Sequence, residues 1–500
     1  MTGSGCRGGW AALAGLAMLL AVSGGCRRAV PPHRNLVIVL VDTLRSDHLP
    51  SYGYERQTAP TLAALAAAGT QLQGYAVSSW TKPSVATLLT GLAPQRHQAQ
   101  RRSDALPAAA PYLPEILAGR GWTTAAVFAN PNSGPEVGFG RGFATVRNLE
   151  TPGKVDGRLV TTAALELRPE LRPPYFLWVH YVDPHDPYRP VRPWSDDGDG
   201  AAGGEAARRY IQPRGGQRQR LLRPHNLARL RDQYDGEIAE VDREIGRLLA
   251  GLRQRGLLRD TLVVVTSDHG EEFGDHGAFL HGRTLYQEVL EVPLIFWSGS
   301  ARLLSRPAPG RGPHPAPRAE HGAAPAAAPG RAGSRPFHQL DFLPTMLAAL
   351  GVPVPPGLDG EPRWAALQRG GPTAAEELHF HLDMDRRAGL AVIRPPHKAV
   401  WWNGRPPVLL FDLATDPRES SSLGEGQPEI LENLLRTTFL YHNRLAAAAL
   451  DREAITPDGD LARRLAALGY LGGAGGGGRD PRLLPPLLDA EALAVSVGRR

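Results

Sequence analysis

Cysteine is nearly absent from this chain: there are two in 500 residues, Cys6 and Cys26, both within the first 26 positions. The body of the protein therefore has no disulfide framework, no cysteine-rich zinc site and no cysteine nucleophile. Lysine is almost as scarce, since Lys82, Lys154 and Lys398 are the only three among 56 basic residues. So strong an arginine bias is read as genome composition, and the placement of charge agrees, because residues 301–335 carry a net +5 of the formal +6. No nucleic-acid partner is expected. A hydrophobic fraction of 42% with 21% charged residues excludes a membrane transporter, a collagen and a wholly disordered chain. What is plentiful is glycine (57) and proline (46), which implies many loops or unstructured stretches. Five hundred residues suffice for one large α/β domain or two to three average ones.

The N-terminus reads as a targeting segment. Arg7 precedes an apolar stretch from Trp10 to Val22, the length of a signal-peptide core and short for a membrane span. Small residues Ser23, Gly24 and Gly25 lead to Cys26, which resembles a bacterial lipoprotein signal whose cysteine is lipidated. The expectation is an extracytoplasmic protein, either an envelope lipoprotein anchored at Cys26 or a secreted or periplasmic one.

Beyond residue 33 the pattern alternates between strands and helices. Asn35 to Val41 is a continuous apolar, β-branched run of the kind buried on both faces of a parallel sheet. Pro60 to Gly69 reads as a helix, and another is expected to open at Pro83 and close at Gly91. Trp122–Phe128, Tyr175–Tyr181, Leu262–Thr266 and Val292–Trp297 read as strands, and Glu237–Arg253 as an amphipathic helix. The fold class that follows is α/β, with a large, mostly parallel central sheet flanked by helices. Residues 301–335 are Pro/Ala/Gly/Arg-rich and are expected to be a disordered insertion. Helical patterning resumes at Gln339–Leu350, and hairpin-like pieces followed by a helix over 378–445 suggest a small C-terminal α+β subdomain. The expected organisation is thus a signal segment (1–26), a catalytic domain (34–300, resuming at 336–377), the subdomain, and a helical then Gly/Pro-rich tail (446–500). Residues 205–232 carry eight arginines and read either as a solvated insertion or as a collar drawing in an anion.

Ligand sites in open α/β sheets lie beyond the carboxyl ends of the strands, so strand-end residues distant in sequence can converge there. Asp42 follows the first strand, and Asp268-His269 follow the 262–266 strand in a histidine-rich segment with His276 and His281. Carboxylate oxygens with an imidazole make a divalent-metal set, although each aspartate alone could be a helix cap. In the third segment, Ser78 to Gly91, Thr81 lies at a helix start, where it either caps the helix or faces an anion held by free N–H groups.

These residues carry a resemblance. The strand followed by Asp42, TLLTGLAPQRH, YFLWVHYVDPHDPY, VVVTSDHGEEFGDHG, HGRTLYQEVLEVPLIF and LLFDLATDPRESSSL, in that order over about residues 35–440, resemble the sulfatase family of the alkaline phosphatase superfamily. The resemblance implies a phosphate- or sulfate-ester hydrolase or transferase with one divalent ion (Mn, Zn or Ca) bound by Asp42, Asp268, His269 and Thr81, the last also the nucleophile. It gives His185 and His281 the tasks of contacting the anion or protonating the leaving oxygen, and Arg283 a place in substrate binding. Lys82 either pairs with the substrate anion or is solvated on the first helical turn.

The departure from the family lies at the nucleophile. Sulfatases carry Cys (or Ser)-x-Pro-Ser-Arg, whose first residue is oxidised to formylglycine, whereas the aligned residues here are Thr81-Lys82-Pro83-Ser84-Val85. No formylglycine is expected, and a sulfated threonine would lack the aldehyde escape route. A phosphorylated threonine can be released by water or another alcohol. Similar proteins with an aligned threonine, such as lipoteichoic-acid synthases, phosphoethanolamine transferases and nucleotide phosphodiesterases, transfer phosphoryl groups. Thr43 stands where sulfatases often have a second aspartate, which leans toward a manganese- or zinc-like ion. The expected reaction is attack by Thr81 on a phosphodiester or phosphonate-like ester, the substrate an envelope glycan, a lipid or a phosphorylated or sulfated metabolite. Two other readings stay open: a sulfatase working without formylglycine, and a catalytically silent binding protein.

Overall fold

Besides Met1, the computed structural model describes residues 33–151, 153–189, 191–194, 224–299, 336–371, 373–384, 387–403, 408–424 and 426–468. The expected signal segment with Cys26, the 301–335 insertion, most of the 205–232 arginine run and the tail beyond 468 lie outside the described residues.

Eight strands form the central sheet: β1 (Asn35–Val41), β2 (Thr70–Tyr75), β3 (Thr123–Phe128), β4 (Thr145–Asn148), β5 (Tyr175–Tyr181), β6 (Thr261–Thr266), β7 (Glu291–Ser298) and β8 (Pro336–His338). Their spatial order is β8-β2-β7-β6-β1-β5-β3-β4. Only β7 runs against its neighbours, pairing antiparallel with both β2 and β6. β1 lies at the centre, parallel to β5 (Val41 opposite Tyr181) and to β6 (Leu40 opposite Thr266).

Burial on both faces explains the unbroken apolar runs. In β1, Val37, Val39 and Val41 enter one apolar core, while Leu36, Ile38 and Leu40 enter the core on the opposite face. Period-two alternation therefore carries no polar face here, as expected for a covered parallel strand. Helices α1 (Pro60–Ala68), α3 (Gly157–Glu166) and α4 (Pro224–Gln254) pack on the first face, whereas α2 (Thr81–Thr90) and α5 (Phe342–Ala349) cover the other. The helix read as Glu237–Arg253 starts thirteen residues earlier as α4. Leu230 and Tyr234 continue the buried stripe through Ile238, Val241, Ile245, Leu248 and Leu252.

The small antiparallel sheet holds β9 (Leu378–Met384), β10 (Arg387–Arg394), β11 (His397–Trp402) and β12 (Leu409–Asp412) in sequential order. Helix α6 (Pro428–Ala447) covers it, laying Leu431, Leu434, Leu435 and Phe439 on Leu390, Val392, Trp401 and Leu410. Among the described residues, no helix is long and apolar enough to cross a membrane.

Candidate active site

Parallel pairing brings the carboxyl ends of β6, β1 and β5 side by side, so the residues that leave these strands meet above the middle of the sheet. Asp42 directly follows β1, Asp268 and His269 follow β6, and His180 is the penultimate residue of β5. All four side chains are buried completely. Asp42, His180 and Asp268 each offer a ligand atom, and these atoms lie within 4.8 Å of one another. His269 Nε2 is 3.8 Å from Asp42 Oδ1 and 3.4 Å from Asp268 Oδ2.

Helix α2 delivers Thr81 to the same point. Its start differs from the expected Pro83: Thr81 is the first helical residue and Pro83 the third. Proline fits there because the first four N–H groups of a helix have no acceptor within it. The Thr81 hydroxyl lies 3.3 Å from His269 Nε2, and the Asn130 amide approaches it at 3.5 Å while donating to Asp42 Oδ2 at 2.6 Å. Val85, at the family's arginine position, is buried in the core beneath α2.

The backbone around Asp268 is tied down from several sides. Its Oδ1 accepts from the N–H groups of Thr43 (3.2 Å) and His269 (2.9 Å). Thr43 reaches it in the left-handed region, φ 56°, an uncommon conformation for a β-branched residue. Gln339 donates to the carbonyls of Ser267 and Asp268 while accepting from the N–H of Val77, so one side chain clamps the loop after β6 to the approach to α2. Gly270 is required by close packing, because a Cβ there would sit 2.0 Å from the Glu288 carbonyl oxygen.

Hydrogen bonds set the tautomers of the buried imidazoles. His269 Nδ1 faces the Gly270 carbonyl oxygen at 2.8 Å, which can only accept, so Nδ1 carries the proton and Nε2 keeps its lone pair toward Thr81 and the carboxylates. His180 Nδ1 meets Ser133 Oγ at 3.1 Å, and that hydroxyl lies 3.4 Å from the Asn130 carbonyl, to which it can donate. His185 is fixed likewise, with Nδ1 on the Asp186 carbonyl at 2.5 Å. Burial lowers the pKa of His180 to about 4 and holds His185 and His281 well below the usual imidazole value.

The carboxylates show the opposite strain. Burial, reinforced by the charge of Asp268, pushes Asp42 well above the ordinary carboxyl range. Burial also works to raise Asp268, but His269, His180 and the two N–H donors outweigh it and hold it low. Asp42 Oδ1, Asp268 Oδ2 and His180 Nε2 are buried without a hydrogen-bond partner. Three converging lone-pair atoms, two of them on repelling carboxylates, are the environment a divalent cation satisfies, and the donor set fits one.

His269, His281 and His185 form a row, with ring centroids 4.5 Å and 4.9 Å apart. The Asp-Pro-His loop is braced by buried Lys154, which donates to the His185 carbonyl (2.8 Å) and to Glu237 and lies 3.0 Å from Asp183. His281 Nδ1 lies 3.0 Å from Glu271 Oε1, and the Tyr188 hydroxyl donates to the other carboxylate oxygen at 2.8 Å. Arg283 is half-buried, and its charge, with that of Arg102, bears on His281. Cationic charge thus lies near His281.

Lys82 is neither solvated nor turned toward that row. It is fully buried, and its ammonium donates to the carbonyls of Arg101 (3.2 Å), Arg102 (2.7 Å) and Asp104 (2.5 Å). All three donors are taken, so an anion contact has none left, and the residue ties α2 to the 101–104 segment. His276 also stands apart, stacked on Tyr286 and bonded to Glu288.

Comparison with known proteins agrees with this architecture. The family described as Sulfatase matches residues 34–352. An arylsulfatase of Clostridium perfringens is 24% identical over 259 residues, covering 50% of this chain and 49% of its own. The multifunctional alkaline phosphatase superfamily protein PehA of Trinickia caryophylli is 31% identical over 220 residues, covering 40% and 37%. Human arylsulfatase A is 26% identical over 500 residues, covering 85% and 90%. Thus the match spans about half or less of the first two relatives and most of the third. Among solved structures, the phosphonate monoester hydrolase SpPMH of Silicibacter pomeroyi superposes with a TM-score of 0.61 at 19% identity, covering 82% of this chain and 95% of its own. With the family match running across the central sheet from β1 to the end of α5, this chain belongs to the sulfatase family.

Proposed function

We propose that the protein is a metal-dependent ester hydrolase or transferase that uses Thr81 to attack a phosphodiester or phosphonate-like ester. The observation that carries the reading is a threonine hydroxyl at a helix N-terminus, 3.3 Å from His269 Nε2 and beside two buried carboxylates, in a chain whose only cysteines are Cys6 and Cys26. Asp42, Asp268, His269 and Thr81 would hold the ion, which when bound supplies positive charge for the ester oxygens and for the hydroxyl as it loses its proton.

The free N–H groups at the start of α2 and the cations Arg283 and Arg102 favour a bound anion. Thr81 Oγ1 forms a bond to phosphorus as the bond to the departing alcohol breaks. The proton released by the hydroxyl balances the one the departing oxygen takes from His185 or His281. Water or a second alcohol then attacks phosphorus, the bond to Thr81 breaks, and the threonine regains its proton. The names of PehA and SpPMH support phosphorus chemistry on this fold, and that of arylsulfatase A, matched over 85% of the chain, favours sulfate as the second reading. The proposed setting is the cell envelope, on the strength of the first 26 residues, with an envelope glycan, lipid or anionic metabolite as substrate.

The test is an ester panel on the purified protein with Mn²⁺ or Zn²⁺. Bis-p-nitrophenyl phosphate should be cleaved faster than p-nitrophenyl sulfate, and Thr81→Ala should abolish the activity. A preference for sulfate overturns the phosphoryl reading, and inactivity on both without bound metal favours a binding protein.

A further inference from the structure

We infer that His180 is itself a metal ligand, standing in for the carboxylate missing at Thr43 and giving the site two imidazole nitrogens, so that it selects a zinc- or manganese-class ion over calcium. This rests on the proposed divalent ion between Asp42 and Asp268 and goes beyond it by assigning a ligand and an ion class.

In β5 the side chains of Phe176 and Trp178 point into the core beneath α2, and His180 is the next residue in that row. A polar ring in an apolar row requires a partner for each nitrogen. Nδ1 has one in Ser133 Oγ at 3.1 Å, and with that hydroxyl turned to the Asn130 carbonyl 3.4 Å away, the proton is assigned to Nδ1. Nε2 is therefore a bare lone pair, fully buried and without a hydrogen-bond partner. It faces Asp42 Oδ2 at 3.7 Å, beyond hydrogen-bond distance. Two electron-rich atoms held face to face in a dry site repel unless a cation lies between them.

The spacing agrees with shared ligation. Two ligand atoms each about 2.1 Å from a tetrahedral ion lie about 3.4 Å apart, and an octahedral ion spreads them from about 3 to about 4.2 Å. His180 Nε2 is 3.7 Å from Asp42 Oδ2, and His269 Nε2 is 3.8 Å from Asp42 Oδ1 and 3.4 Å from Asp268 Oδ2, all inside that range. Calcium takes six to eight oxygens, whereas imidazole nitrogen suits zinc, and a mixed set of imidazoles and carboxylates also admits manganese. The Ser133 contact to Nδ1 is the outer support that fixes such a ligand's tautomer and ring orientation.

The experiment compares metal binding by wild type, His180→Ala and His180→Asp after chelation, independent of any ester. Wild type should bind one equivalent of Zn²⁺ or Mn²⁺ in preference to Ca²⁺. His180→Ala should weaken Zn²⁺ binding by at least about 100-fold, the upper end of what loss of an outer partner alone costs. His180→Asp should move the preference toward Ca²⁺. Pulsed EPR of Mn²⁺-loaded wild type, which needs no variant, should show two histidine nitrogens coupled to the ion, reduced to one in His180→Ala. Binding of the ion with one coupled nitrogen and unchanged Zn²⁺ affinity in His180→Ala overturns the assignment while leaving the proposed reaction standing. A wild type that binds no divalent ion overturns both.

Discussion

Glu271 shares no hydrogen bond with Thr81, the proposed nucleophile, yet its replacement by glutamine should change the proposed reaction in a way that reports on proton delivery. Its carboxylate faces His281 Nδ1 at 3.0 Å, with the Tyr188 hydroxyl on the other oxygen at 2.8 Å. Burial pushes the Glu271 carboxyl up to about 7, while the Tyr188 hydroxyl and the charges of His269 and Arg45 favour the ionised form. A carboxylate on Nδ1 stabilises the imidazolium that His281 must become before it can protonate a departing oxygen in the proposed reaction. A hydrogen bond to a charged group contributes about 1.5–3 kcal/mol and a neutral one about 0.5–1.5, so Glu271→Gln forfeits about 1.5 kcal/mol. That is about tenfold in kcat/KM, expected only where the leaving group needs a proton. The assay is kcat/KM for aryl phosphodiesters of increasing phenol pKa. Glu271→Gln should steepen the dependence on leaving-group pKa, with p-nitrophenol esters little affected and poor leaving groups about tenfold slower. A uniform fall at unchanged slope would refute the reasoning and make Glu271 a purely structural residue.

Two further predictions concern stability. Lys82→Met should leave KM unchanged and cost about 3 kcal/mol in denaturant unfolding, as three buried carbonyls lose a donor at about 1 kcal/mol each; a tenfold rise in KM at unaltered stability would restore an anion-binding role. Acid should weaken the fold through His97 and His338, whose pKa values burial lowers to about 3. Unfolded, each takes up its proton near pH 6.5, so the stability is full above that pH and is lost as pH falls toward 3. At pH 5 each histidine accounts for about 2 kcal/mol. Thermal unfolding of His97→Gln and His338→Gln against wild type at pH 7.5 and pH 5 checks this, and equal pH sensitivity in all three proteins would contradict it.

The strands were readable because a strand buried on both faces must be apolar throughout, and β1 and β5 occur where the runs Asn35–Val41 and Tyr175–Tyr181 place them. Asp42, Asp268 and His269 were readable as strand-end residues. His180 was not singled out, although its one signal was present: a histidine in the otherwise apolar face of YFLWVHY. Asn130 carried a similar signal just after β3, and Glu271 was hidden in a motif already explained by its neighbours. Lys82 was misplaced because its surroundings are carbonyls from a segment about twenty residues away, which periodicity cannot register.

Scarcity of cysteine, a threonine at the nucleophile position and a threonine for aspartate at position 43 are facts of composition and order, and they alone constrain the chemistry available to this chain. Which lone pairs face one another is decided only by folding. The parallel register of β6, β1 and β5 sets His180 against Asp42, and the Ser133 and Gly270 oxygens leave the Nε2 atoms of His180 and His269 unprotonated. The reason is physical: a residue type fixes what a side chain can donate or accept, whereas its protonation and partner depend on burial and on neighbours that only tertiary contacts supply.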